Sequence, residues 1–113
     1  MPTPINRQFD ELPVYARTAS IGATPVAAST VATKKGRITR AAALCEGAAS
    51  GTIAVALAIN GGASAGSFVF TGGANARGAA DFNIPVEEGD LITFTPSGGA
   101  GASIPGHFYA IIR

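Results

Sequence analysis

The chain has 113 residues, with 8 lysines and arginines against 7 aspartates and glutamates, and a net charge of +1. That length fits one domain and excludes an enzyme whose site lies between two domains. Near-neutral charge argues against a dedicated nucleic-acid binder, which needs a basic face.

Residues 1–35 hold four of the seven prolines and many serines and threonines, but little dense apolar patterning. Proline removes a backbone donor and pushes its predecessor toward extended geometry. This segment therefore reads as an extended amino-terminal arm, with short strands at Val14–Ala19 and around Pro25–Thr33. Charge divides in the same way: residues 1–40 carry a net +4 and residues 41–113 a net −3. Such asymmetry points to a partner for the basic part or to a solvated arm.

From residue 36 the apolar period is two. Gly36–Glu46 puts Ile38, Arg40, Ala42 and Leu44 on one side, and Gly47–Gly51 reads as a hairpin loop. The run from Thr52 to Asn60 is the clearest strand. Ile53, Val55, Leu57 and Ile59 share one face, and Ala54, Ala56 and Ala58 share a flat opposite face. Ser67–Thr71 places Phe68 and Phe70 together. Ala80–Pro85 turns Phe82 and Ile84 inward. Val86–Asp90 is a turn with Gly89 at positive φ. Leu91–Thr95 places Ile92 and Phe94 on one face. His107–Arg113 sets Phe108, Ala110 and Ile112 opposite Tyr109, Ile111 and Arg113. Six strands after residue 36 and two before it predict an all-β fold, an antiparallel jelly-roll-like β-sandwich with an extended amino-terminal arm at 1–35 and the sandwich at 36–113. Alanine and glycine supply 23 and 15 residues. A core of such small side chains buries little apolar area, so further burial against another subunit is expected. Apolar runs are short and no charged-then-apolar leader opens the chain, so neither a membrane span nor a secretory signal is expected.

The carboxy-terminal cadence is Ala-Ile-Asn-Gly-Gly, then Phe-Asn-Ile-Pro-Val, Glu-Glu-Gly-Asp, Leu-Ile-Thr-Phe-Thr-Pro-Ser and Gly-His-Phe-Tyr-Ala-Ile-Ile-Arg. Over residues 36–113 it resembles the small jelly-roll domains of tailed-phage head decoration (cement) proteins and head fibres, and it is similar to C1q and tumour-necrosis-factor-like domains. The resemblance implies a homotrimer on the outer capsid of a virion, with the major capsid protein as partner and a terminal arm reaching over neighbouring subunits. In that reading Ile5, Phe9, Leu12, Val14 and Tyr15 anchor the arm, Arg7 and Arg17 pair with carboxylates, and Ala54, Ala56 and Ala58 pack flat against a partner. The rival reading is a glycan-binding module, lectin-like or a receptor-binding fibre head, using loops near 61–66, 72–78 and 98–106. Tyr15 and Tyr109 are too few and too scattered along the chain to predict a sugar-stacking platform.

Reaction chemistry is thin. Cys45 and His107 are single residues of their kinds, and a thiolate–imidazole pair is the one nucleophilic arrangement available. A small buried thiol at a strand end is the ordinary role for Cys45. One Cys and one His are too few for a zinc centre. Glu87, Glu88 and Asp90 offer part of a calcium site or simply a solvated turn, and adjacent strand carboxylates face opposite ways, which disfavours a glycosidase pair. The glycine runs at 72–78 and 98–106 lack a following Lys-Ser/Thr and open no helix, so no phosphate loop is predicted. Lys34, Lys35, Arg37 and Arg40 form one basic patch that is short of the charge and aromatics of a nucleic-acid surface. No enzyme activity, cofactor or metal is expected.

Overall fold

The computed structural model describes residues 11–113. They form eight strands: β1 (Leu12–Thr18), β2 (Ala28–Val31), β3 (Gly36–Cys45), β4 (Ser50–Ile59), β5 (Ser64–Thr71), β6 (Arg77–Val86), β7 (Leu91–Ala100) and β8 (Gly106–Ile112). One sheet runs β1-β8-β3-β6 and the other β2-β7-β4-β5, with every neighbouring pair antiparallel. This is the jelly-roll order, in which every connection passes between the two sheets except the β4–β5 hairpin.

The period-two reading of the faces holds on β4, β7 and β8. Ile53, Val55 and Leu57 of β4 are fully buried, as are Ile92 and Phe94 of β7, and Ala110 and Ile112 of β8. Phe94 and Phe108 lie almost parallel at 5.0 Å between ring centroids, one from each sheet, and so tie the two layers together. Phe68 sits 6.4 Å from Phe70 and 6.3 Å from Phe82 at the far side of the core. Between β4 and β5, Asn60 and Gly61 both take positive φ, at 53° and 73°, the signature of a tight hairpin turn. Gly89 takes φ 90° in the β6–β7 turn, as its sequence position predicts.

Three expectations are corrected. The described part of the predicted arm, residues 11–35, is built into the sandwich. β1 pairs along its length with β8, and β2 pairs with β7. Val14 is only 4% exposed and Ile21 is fully buried, so this segment contributes to the core even though Val26 and Val31 face out. Pro13 is tolerated because β1 is an edge strand and can lack a donor on its open side. Second, Gly47–Gly51 is not a hairpin. β3 and β4 belong to different sheets, and the chain between them crosses the end of the sandwich, held by Glu46 N–H to Pro105 O at 2.9 Å and Ala49 N–H to Gly73 O at 3.1 Å. Third, Ile38 does not share a face with Arg40, Ala42 and Leu44. The register shifts between Ile38 and Arg40, and this bulge sends Ile38 into the core and Arg40 outward.

Candidate functional site

The two sheets differ sharply in what they show to solvent. β2, β4, β5 and β7 contain no charged residue at all. Arg17, Arg37, Arg40, Arg77 and Asp81, the charged side chains borne by strands, and His107 with them, all belong to the other sheet. The register there sets outward side chains in rows across four strands. One row is Tyr15, Tyr109, Ala42 and Ala79; the next is Arg17, His107, Leu44 and Arg77; on the other side Ile111, Arg40 and Asp81 follow.

Those rows make a depression. Ala42 and Ala79 form a low floor between taller neighbours, and the resulting groove has a volume of about 550 Å³, lined also by Tyr15, Tyr109, Arg40, Leu44, Arg77 and His107. Tyr15 is 69% exposed and Leu44 40%, so the groove carries accessible aromatic and apolar surface beside its charges. Gly78 keeps β6 tight against the core here: a Cβ at that position would come within 2.6 Å of Phe70.

Most rim charges are already engaged. Arg40 Nη1 donates to Asp81 Oδ1 at 2.9 Å. Asp81, and after it the Tyr109 hydroxyl, raises the Arg40 pKa further above its ordinary value. Glu46 accepts from Arg17 Nε at 3.1 Å and lies 2.6 Å from His107 Nε2. Partial desolvation pushes the Glu46 carboxyl up, but Arg17 and then His107 outweigh it and hold it below the usual range. The Arg77 side chain has no ion pair or hydrogen bond among the described residues.

The predicted contact residues separate on this structure. Ile5, Arg7 and Phe9 lie outside the described residues. Val14 is core, Leu12 is half-buried on the same edge, and Arg17 is paired with Glu46, so only Tyr15 of the described arm set stands free at the surface. Ala54, Ala56 and Ala58 face outward on β4, between Ser67 and Val69 of β5 and Thr93, Thr95 and Ser97 of β7, on the charge-free face. Of the loops named for glycan contact, only the end of 72–78 reaches the groove, through Arg77 and Gly78. The 101–105 loop instead packs on the β1–β2 connection, with Ile21 N–H donating to Ile104 O at 2.7 Å.

Cys45 faces the core and His107 faces solvent, so the thiol and imidazole point to opposite sides of the sheet. Burial raises the Cys45 thiol pKa, away from the reactive thiolate. In the acidic turn, both Asp90 oxygens are used internally: one accepts Glu87 N–H at 2.8 Å and the other Asn60 Nδ2 at 3.0 Å. These two bonds, the Glu87 N–H foremost, lower the Asp90 pKa. No three His, Cys, Asp or Glu side chains converge among the described residues. The basic patch is also dispersed, with Arg37 Nη1 on Asn83 Oδ1 at 3.1 Å and Lys35 3.9 Å from Glu87.

What sequence reasoning missed is the pairing of Tyr15 with Tyr109. They are cross-strand partners on β1 and β8 and form one wall of the groove. The signal was their common outward parity; their partnership required the strand order.

No protein-family model matches the chain, and no curated protein matches it in sequence. Solved structures do share its architecture. The CBM36-1 domain of a multidomain xylanase from the hindgut metagenome of Trinervitermes trinervoides is 13% identical, with a TM-score of 0.52 over 90% of this chain and 97% of that one. A family 35 carbohydrate binding module from Clostridium thermocellum is 12% identical, with a TM-score of 0.51 over 91% of this chain and 92% of that one. The chain is thus an eight-stranded jelly-roll β-sandwich with the architecture of small carbohydrate-binding modules.

Proposed function

We propose that this protein is a non-catalytic saccharide-binding module whose site is the groove on the β1-β8-β3-β6 face. One observation carries the reading: the cross-strand tyrosines Tyr15 and Tyr109 stand beside guanidinium groups over a floor of Ala42 and Ala79. A sugar ring presents an apolar C–H face and a rim of hydroxyls. Aromatic surface takes the first, and fixed charged donors take the second. The architecture shared with two carbohydrate-binding modules supports the same reading at the level of fold.

The test is titration calorimetry against a panel of neutral and uronic-acid-bearing oligosaccharides. Saturable binding is expected, weakened about tenfold by Tyr15→Ala or Tyr109→Ala, the loss of roughly 1.4 kcal/mol of stacking and burial. No binding across the panel, or binding that both substitutions leave intact, overturns it.

A second reading, a decoration protein that trimerises on a major capsid protein at a virion surface, draws on the charge-free outer face around Ala54, Ala56 and Ala58. Such a face presents no charge to repel a copy. On this reading light scattering gives a trimer for the purified chain, and Ala56→Arg reduces it to a monomer; a monomer in both forms removes this reading's support.

A further inference from the structure

Resting on the saccharide reading, we propose that the groove selects an acidic saccharide and that Arg77 receives its carboxylate. The charge inventory of the rim leads there. Arg17 is bound to Glu46, and Arg40 to Asp81. Arg77 is the third guanidinium, and no carboxylate among the described residues answers it. The rim therefore carries three guanidinium groups against two carboxylates, leaving an excess positive charge located at one end of the groove.

Placement makes that charge usable. Arg77 opens β6 opposite Leu44, while Arg40 lies four residues earlier on β3. At about 3.3 Å per strand residue the two mark positions about 13 Å apart along the groove, with Ala42 and Ala79 between them. The β6 backbone at Arg77 is anchored by the ladder and by the tight seating of Gly78 on Phe70, so its position is set before ligand arrives. A guanidinium binds a planar carboxylate through two parallel N–H bonds, a geometry that a hydroxyl cannot match. Next to the apolar surface of Leu44, the pair is less screened than it would be in open water. A neutral sugar can use the tyrosines but offers Arg77 only hydroxyls, without the paired acceptors of a carboxylate. A uronic acid uses both.

The test measures tetramers of galacturonate, glucuronate and mannuronate, each beside its methyl ester, by titration calorimetry. The ester keeps the ring and linkage and removes the charge. At least one acid is expected to bind tenfold or more tighter than its ester, with the difference shrinking as salt rises. Arg77→Gln should bring the acid down to the level of its ester and so abolish the preference. Arg77→Lys, which keeps the charge without the fork, should recover only part of the preference. Thermal melting controls for folding, and Arg77 is exposed, so all variants should melt with wild type. Esters or neutral sugars that bind as well as the acids overturn this inference alone, as does a preference that survives Arg77→Gln. Failure of acids, esters and neutral sugars alike overturns it together with the saccharide reading.

Discussion

Single residues in this protein act by which side of a sheet they reach. Cys45 and His107 come from neighbouring strands, yet one is core and the other is solvent-facing and held by Glu46. The acidic residues with shifted pKa values are structural in the same sense. Glu46 joins β1 and β8 side chains through Arg17 and His107, and Asp90 joins the β6–β7 turn to Asn60 of the β4–β5 turn. Both carboxyls are held below their ordinary values of 4.5 and 3.8. A carboxyl with a lowered folded pKa contributes stability above its unfolded pKa and loses it as pH falls through the folded value. The melting temperature is therefore expected to hold steady down to about pH 4.5 and to fall progressively below it. Asp90→Asn should lower it by a few degrees at neutral pH and flatten part of the acid limb. A melting temperature that is the same at pH 3 and pH 7 would show that neither contact matters.

At the scale of elements, β1 shows how a weakly patterned segment becomes structural. Its seven residues contain one proline and two buried side chains, Val14 and Thr18, yet they pair with β8 from Leu12 to Thr18. Adjacent positions on this strand should behave oppositely. Val14→Ala removes the equivalent of two buried methylene groups and should cost about 1.5 kcal/mol in urea unfolding. Tyr15→Ala, facing the groove, should change stability by less than about 0.5 kcal/mol while weakening ligand. Truncation through residue 18 takes away the strand and bares the β8 edge, so cooperative unfolding should be lost; a truncated chain that melts like the whole one would restore the free-arm picture. β3 carries a second lesson: its bulge at residue 39 reverses which alternate residues face out, and that reversal puts Arg40 in line with Ala42 and Leu44 on the groove side.

For the molecule as a whole, the division of charge between sheets organises the surface. One face carries no strand charge and is made mainly of alanine, serine, threonine and valine, with Leu91 exposed beside Val31; the other is grooved and holds the charged side chains of the strands. Much of the sandwich was legible from the amino-acid string. Period-two alternation marked the inward faces of β4, β5, β7 and β8, because burial acts on each side chain locally and leaves its mark at i and i+2. Gly89 marked a turn because few residues tolerate positive φ. The alternation says that a residue is inside or outside, but not which strand lies beside it. Strand partners are chosen by global packing and crossover connections, so the β3–β4 crossing, the bulge after Ile38 and the inclusion of β1 emerged only from tertiary structure. The groove is of that second kind. Tyr15, Tyr109, Ala42 and Arg77 are unremarkable where they stand in the chain, and they become a site because the order β1-β8-β3-β6 sets them side by side.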